Sequence, residues 1–219
     1  MELSIFIEYW PLLLSGLIFT LKVCSSSLIM GLLLGIFLYL FSTIKNRLTF
    51  MIYRAYLTIF RGTPLLVQVY LIFYGGPLLG ITLSAAEVGI LGMGLYVAAY
   101  FSEIYRSGFN SLPKGQIEAA QNLGFSKRQI LTHIQLPQIL GLIVPSLTNQ
   151  SIILIKESAI LSIISVPEIT YAAVKMASET YSVVEPYIFL AAAYWVINFV
   201  VSRFGNWVEL KSTHYLATN

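Results

Sequence analysis

Five long apolar runs constrain this chain more than any other feature of its sequence. A helix needs about 20 apolar residues to cross roughly 30 Å of hydrocarbon, and only helices and closed barrels satisfy every backbone group there. These runs are too long and too continuous for the alternating strands of a barrel. They predict five membrane-spanning helices, at residues 10–41, 56–79, 85–105, 139–165 and 187–204.

Composition supports this interpretation and excludes several classes of protein. Apolar residues make up 57% of the 219 residues and charged residues only 11%, whereas soluble domains have roughly 25% charged residues. A soluble domain of this size could not bury so much apolar surface. A net charge of +3 is too small to indicate a nucleic-acid partner. We therefore expect an all-α helical bundle embedded in the lipid bilayer, formed by a single domain, 1–219.

Basic residues gather on one side of the predicted membrane. They fall between spans one and two, between spans three and four, and after span five. The opposite side has only Lys175, together with several glutamates that include Glu168. Because Lys and Arg concentrate on the cytoplasmic side, we expect the N-terminus outside, the C-terminus inside and the loop 113–137 in the cytoplasm.

Small residues recur at helical spacing in two of the spans. Gly31-x-x-x-Gly35 lies in span one, and Gly94 and Ala98 lie in span three. Such spacing lets two helices approach closely in lipid, because small side chains bring the backbones together. A glycine- and leucine-rich membrane chain also produces this spacing by composition alone, so both explanations stay open.

The loop 113–137 is the most informative segment. Ile117, Ala120 and Gly124 share one face of a predicted short helix. Ser126 is suited to cap a second helix, whose apolar face would be formed by Ile130, Leu131 and Ile134. The loop is either a surface helix lying on the bilayer or a docking element for a partner protein.

The same loop resembles the EAA loop of ATP-binding-cassette importer permeases. That loop has a glutamate-alanine-alanine triplet, a glycine four residues later and a closing I-x-L-P, and the matching residues here are Glu118, Ala119, Ala120, Gly124 and 134–137. Two further segments are similar to the polar-amino-acid branch of that family, F-R-G-T-P-L-L-V-Q at 60–68 and K-G-Q at 114–116. Residues 156–160 read K-E-S-A-I, which departs from the usual K-D-T-S-L. The resemblance extends from Gly16-x-x-x-Thr20 to span five.

The resemblance implies a division of labour among several chains. Two permease chains, identical or paralogous, form the pore, and two separate ATPase subunits bind beneath it and hold ATP and Mg²⁺. An extracytoplasmic binding protein delivers an amino acid. Glu118, Ala119, Ala120 and Gly124 are implied to contact the ATPase. The location implied is the cytoplasmic (inner) membrane of a bacterium, where the chain moves polar or basic amino acids into the cytoplasm.

The chain itself is expected to be no enzyme and to hold no cofactor. It has no phosphate-binding loop of the G-x-x-x-x-G-K-[ST] type. Its two histidines, His133 and His214, have no cluster of other ligands nearby, so no metal site is expected. The alternative function is that of an ion-gradient-driven secondary transporter or channel. Such proteins usually have related halves with interrupted helices, and we find no such repeat in the sequence.

Polar residues inside the predicted spans are candidates for the substrate path. A charge at the bilayer centre costs roughly 2.5–3.5 kcal/mol, so it should face the bundle interior or water. The candidates are Gln68, Glu103, Gln150, Glu157 and Ser158. For each acid a structural role stays open as the alternative to the substrate path. Glu103 could form an interfacial ion pair with Arg106, and Glu157 could form a structural pair between helices with Lys156.

Overall fold

The computed structural model describes the backbone of residues 3–213 and the side chains of residues 7–212, and within this range the chain contains no strand. Its α-helices, in chain order, are α1 (Leu3–Ser42), α2 (Arg47–Gly62), α3 (Leu65–Gly75), α4 (Ala85–Asn110), α5 (Lys114–Asn122), the single turn α6 (Lys127–Gln129), α7 (Leu136–Glu157), α8 (Ile169–Thr180) and α9 (Val184–Thr213). Two 3₁₀ turns and one π-helical segment lie among them, at Gly76–Leu79, Ser158–Ile164 and Ile130–Gln135.

The predicted all-α membrane bundle is confirmed. Within the described residues, four helical segments are long and apolar enough to cross a membrane, and the bent pair α2 and α3 makes a fifth candidate. The four segments are Ile7–Ser42, Ala85–Asn110, Lys127–Ile164 and Val184–Ser212. α4 is the most enclosed of them, since α1, α2, α3 and α7 all pack against it.

The predicted second span, 56–79, differs from the structure because it is not one straight helix. α2 already begins at Arg47, and α3 leaves its end at an angle of 103°. The break falls at Thr63 and Pro64. Proline has no backbone N–H, and its ring keeps the preceding residue out of the helical conformation, which agrees with the extended backbone of Thr63 (φ −122°, ψ 146°). We call α2, α3 and their junction the elbow.

Glycines let α1 and α4 pack at close range. A Cβ added at Gly35 would lie 2.9 Å from the Phe101 Cβ, and one added at Gly31 would overlap the Val97 Cγ1. From the other helix, a Cβ at Gly94 would lie 2.6 Å from the Met30 sulfur. The small residues are therefore required by packing and are not a mere product of composition. We call this contact between α1 and α4 the glycine seam.

The helix α8 was not predicted from the sequence. Its buried residues, Ile169, Ala172, Ala173 and Met176, follow a helical spacing. The N-terminal part of α8 packs against α1. A Cβ at Gly16 would lie 3.0 Å from the Ala172 Cβ, and the Thr20 hydroxyl accepts a hydrogen bond of 3.0 Å from the Ile169 N–H. The Gly16-x-x-x-Thr20 pattern thus docks α8 onto α1.

Candidate functional site

The loop 113–137 holds the predicted short helix, α5, which buries one side and exposes the other. Ala120 is buried, whereas Glu118 and Ala119 are exposed. Leu123, one residue beyond the helix, is 78% exposed, and the Phe125 ring is exposed as well. Two of the EAA residues therefore lie on a free surface that also carries apolar side chains.

Gly124 ends α5 in a left-handed conformation, with φ of +83°. The Gly124 N–H donates to the Gln121 carbonyl and the Phe125 N–H donates to the Ala120 carbonyl, both at 3.0 Å. These two bonds form a Schellman C-cap, in which glycine is favoured because it adopts this φ without steric cost. A Cβ added at Gly124 would meet nothing within 4 Å. Within this chain, backbone conformation and not crowding explains the glycine of the EAA pattern.

One set of hydrogen bonds caps the turn after α5, and one further bond joins α5 to the next membrane helix. Ser126 caps α6 as predicted: its hydroxyl accepts from the Gln129 N–H at 3.3 Å, and the Gln129 side chain accepts from the Ser126 N–H at 2.9 Å. Gln138 of α7 donates to the Gln116 side chain of α5 at 3.0 Å. The last of these bonds joins α5 directly to α7.

The apolar face predicted after Ser126 is only partly present. Ile130 is buried, but Leu131 is exposed. The reason is that Ile130–Gln135 is π-helical, and its wider turn changes the angle between successive side chains. Single π turns inside helices are frequent at functional sites.

A charged cluster lies where the elbow meets α4. The Glu103 Oε1 accepts from the Arg106 Nε at 2.7 Å and from the Tyr53 hydroxyl at 2.8 Å. Its Oε2 accepts from the Arg106 Nη2 at 2.9 Å and from the Arg61 Nη1 at 3.3 Å. Of the two alternatives for Glu103, the structure shows the ion pair with Arg106. The four hydrogen bonds use about all of the lone pairs that a carboxylate offers.

Gln68 fastens the elbow from the inside. It is 6% exposed, and its Nε2 donates to the Phe60 and Thr63 carbonyls at 3.0 Å and to the Thr63 hydroxyl at 2.9 Å. These carbonyls belong to the last turn of α2, where the break leaves them without partners in the helix. Its Oε1 is buried and has no hydrogen-bond partner among the described residues. The side-chain N–H groups of Gln68, a predicted substrate-path residue, are thus used in hydrogen bonds to α2 and its C-cap, Thr63.

The remaining candidates lie at the end of α7. Gln150 and Ser158 are buried, Glu157 is half-buried and lies beside Tyr96, and Lys156 is exposed. Among the ion pairs of the described residues there is none between Lys156 and Glu157. The predicted path residues therefore fall into two groups, one at the elbow and one on α7, and no hydrogen bond within the described range joins them.

Sequence reasoning missed Glu168, which it grouped with the acids of the outer side. The side chain is fully buried and caps α8, accepting from the Thr170 and Tyr171 N–H groups at 2.8 Å. The Tyr194 hydroxyl donates to it at 3.3 Å. Glu168 lies between two candidate spans, where burial raises the pKa of its carboxyl although these hydrogen bonds oppose the shift. The signal that could have found it is an acid directly before the apolar helical pattern that starts at Ile169.

A metal centre has no structural basis in the part of the chain that is described. No group of three or more His, Cys, Asp or Glu residues is placed to hold an ion there. His133 instead lies 2.8 Å from the Thr132 hydroxyl through its Nδ1. His214 lies outside the described residues.

The membrane-spanning bundle with an EAA helix on its surface defines a multi-pass permease subunit. The family of binding-protein-dependent transport system inner membrane components matches this chain over residues 28–214, and the chain belongs to that family. The family and the similarities below support the permease interpretation and not the alternative of an ion-gradient-driven transporter or channel.

Two relatives and one solved structure are similar over nearly the whole chain. A probable amino-acid ABC transporter permease protein of Bacillus subtilis is 35% identical over 210 residues, which cover 96% of this chain and 93% of the relative. A putative glutamine transport system permease protein of Rickettsia bellii is 38% identical over 200 residues, with 91% and 92% covered. The crystal structure of an amino acid ABC transporter with histidines superimposes with a TM-score of 0.88 at 35% identity, and 96% and 98% of the two chains are covered.

Proposed function

We propose that this chain is the permease subunit of an ATP-driven importer that moves polar or basic amino acids into the bacterial cytoplasm across the inner membrane. The observation that carries the proposal is the EAA helix α5, which stands on the surface with Glu118 and Ala119 exposed. The amino-acid and glutamine transport named for the relatives supports the substrate class. The chain performs no covalent chemistry, and two ATPase subunits bind ATP and Mg²⁺ and hydrolyse the nucleotide.

The surface around α5 suits a protein partner. Leu123 and Phe125 add apolar area beside the acidic Glu118. An apolar patch with one carboxylate at its side fits a cleft that is apolar inside and carries a basic residue at its rim, because a charge-assisted hydrogen bond can then fix the register. This cleft belongs to the ATPase subunit in our proposal.

Coupling follows from the way in which α5 is held. When the ATPase subunits close on ATP, they displace α5, and the bond between Gln116 and Gln138 passes the displacement to α7. α7 carries Gln150 and leads into Glu157 and Ser158, the candidates for the substrate path. A second permease chain, identical or paralogous, completes the pore, and an extracytoplasmic binding protein supplies the amino acid. The pair then alternates between inward- and outward-facing states, each favoured by a different ligand.

Variants of the EAA helix test the coupling. Glu118→Lys and Gly124→Trp should leave the chain inserted in the membrane but reduce the co-purified ATPase subunit and abolish uptake. Gly124→Asn is the matched control, since asparagine tolerates a left-handed backbone and adds little volume, and we expect it to retain most of the uptake. Normal uptake by both Glu118→Lys and Gly124→Trp would refute α5 as the coupling element.

The orientation of the loop needs a separate test. In a chain with Cys24→Ala, we expect a cysteine introduced by Ser126→Cys to react with an impermeant thiol reagent only when the cytoplasmic side is accessible. Labelling of intact cells at this position would contradict an outside N-terminus and a cytoplasmic EAA loop. Cys24 must be removed because it is the only native cysteine.

A further inference from the structure

We propose that the cavity between the elbow and α4 binds the carboxylate of an amino acid in transit, with the guanidinium groups of Arg54 and Arg61 as donors. The inference rests on the proposed function and adds to it a site that the sequence did not indicate. It also gives the main role to the basic residues of this region, whereas the sequence indicated Glu103 and not an arginine as a candidate for the substrate path.

The cavity has the size and the lining of a small-molecule site. Its volume is about 430 Å³, within the range of roughly 300–1,000 Å³ that is typical of such sites. Its polar and charged lining comes from Arg54, Thr58, Arg61, Tyr100 and Glu103. Gly62 also lines it, and a Cβ added there would meet nothing within 4 Å.

Glu103 is the one acid of this lining, and its acceptors are already in use. Arg106 binds both carboxylate oxygens, and Tyr53 and Arg61 each add a hydrogen bond. A carboxylate so surrounded has no lone pair left for the ammonium group of a ligand. The cavity therefore cannot bind a cation through Glu103 unless the ion pair breaks.

The charged groups of the cavity with unused hydrogen-bonding capacity are the guanidinium groups of Arg54 and Arg61, which are donors. A guanidinium has five N–H donors and no acceptor. Arg61 makes one bond of 3.3 Å to Glu103 and lies over the Tyr100 ring, with 5.2 Å between the guanidinium carbon and the ring centroid. Arg54 has no ion pair among the described residues and lies 5.8 Å from the centroid of the Phe50 ring. Since Arg106 already neutralises Glu103, the two cavity arginines are a surplus of positive charge.

Both cavity arginines lie on the exposed side of α2. The buried side of α2 consists of Tyr53 and Leu57, which pack against α1 and α4. Arg54 and Arg61 are seven residues, or about two turns, apart and so lie on one exposed side. Guanidinium groups favour planar carboxylates, which they bind through two parallel hydrogen bonds. The α-carboxylate is the group that all polar and basic amino acids share, so such a site would accept them without distinguishing their side chains.

Binding of amino acids and of their decarboxylated amines tests this site. The probes are arginine against agmatine and histidine against histamine, measured by equilibrium dialysis with the intact permease–ATPase assembly in detergent and without the binding protein. We expect the wild-type assembly to bind at least one amino acid about tenfold or more tightly than its amine, as the loss of a charge-assisted bond predicts. Arg54→Gln should remove that preference, because it weakens the binding of the amino acid and leaves the binding of the amine unchanged. Arg54→Lys should retain part of the preference.

Arg47→Gln is the matched control. Arg47 lies two turns before Arg54 on the same side of α2 but does not line the cavity, so this variant should keep the wild-type preference. An unchanged preference in Arg54→Gln would overturn the inference. Separation of the two permease chains in Arg54→Gln would overturn it too, since the arginine would then face another chain and not a substrate.

The inference and the proposed function fail in different ways. If the wild-type assembly, reconstituted in proteoliposomes with its binding protein and ATP, imports no amino acid, the proposed function is refuted. If it imports an amino acid but binds that amino acid and its amine equally well, only the carboxylate site is refuted.

Discussion

Gly31 in the glycine seam and Gly62 in the elbow are both helical glycines, yet they stand in opposite surroundings. A methyl group at Gly31 would overlap Val97, whereas a methyl group at Gly62 would meet nothing within 4 Å. The seam is apolar and closed, and the elbow is charged and open, with a cavity of about 430 Å³ beside it. The two regions lie on either side of the same helix, α4.

The difference follows from what each region must satisfy in a membrane. In the seam, two unbroken helices pack side by side, so small residues need only allow close van der Waals contact. The elbow interrupts a helix, and the backbone groups that the break leaves unpaired need other hydrogen-bond partners. Gln68 supplies such partners here, and the Arg61–Glu103 ion pair ties the end of α2 to α4. We infer that the seam is the fixed part of the bundle and the elbow the part that can rearrange.

Gly31→Leu should have the largest effect on stability. The new side chain cannot fit between α1 and α4, and overpacking of this kind costs about 3 kcal/mol or more when the backbone cannot move away. We expect little folded protein, measured as the monodisperse fraction after solubilisation and as a fall in the midpoint of thermal unfolding.

Gly62→Leu provides the comparison, because it adds the same side chain at an open position of α2. It should change the free energy of unfolding by less than about 1 kcal/mol. Equal losses in the two variants would show that the seam is no more closely packed than the elbow.

Glu103→Gln should have the next largest effect. Glutamine keeps the size of the side chain but removes the charge, which leaves Arg61 and Arg106 without their shared partner. We expect a loss of about 1–3 kcal/mol in the free energy of unfolding, seen as a lower unfolding midpoint of the purified assembly.

Glu157→Gln is the paired variant, since Glu157 has no ion pair among the described residues. We expect it to change the free energy of unfolding by less than about 0.5 kcal/mol and to affect uptake of arginine, histidine or glutamine while ATP hydrolysis continues. The opposite pattern, a stable Glu103→Gln that has lost uptake, would return Glu103 to the substrate path.

Local sequence patterns were sufficient for much of the fold. Apolar runs located the membrane helices, and the Ser126 cap followed from a serine before a helical pattern. The elbow could have been suspected from Pro64, but not its angle of 103°, because packing against α4 sets the direction in which α3 continues. The helix α8 was overlooked because it is short and contains charged residues, and its burial depends on Gly16 and Thr20 far away in the chain.

The candidate site was less predictable because its contacts are distant in sequence. The EAA pattern located α5, whereas the reason for Gly124, a left-handed C-cap, required the backbone angles. Glu103 receives bonds from Arg61 and Tyr53, about 40 and 50 residues away, and no local spacing shows that its acceptors are filled. A sequence therefore reveals that a charge lies in a membrane helix, but not which partner neutralises it.

The smallest expected effect is a pH dependence of the free energy of unfolding that comes from Glu168. This buried acid lies next to the α1 residues that contact the start of α8. Burial raises the pKa of its carboxyl in the folded state, whereas in the unfolded chain it titrates at the ordinary value of 4.5. The folded protein therefore keeps this proton to a higher pH than the unfolded chain does. The stability that the protonated group contributes is complete below the unfolded pKa and is lost as the pH rises through the folded pKa.

Glu168→Gln removes this titration and so isolates it. We expect the difference in unfolding midpoint, wild type minus Glu168→Gln, to shrink as the pH is raised from about 4 to about 8. Tyr194→Phe should make the fall of the wild-type curve steeper, because the Tyr194 hydroxyl donates to the carboxylate and opposes the rise in pKa. A difference that is constant with pH would mean that Glu168 has the same charge in the folded and unfolded chain. Glu168 would then make no pH-dependent contribution to stability, like the glycines of the seam. Among these regions, charge would then affect stability only at the elbow.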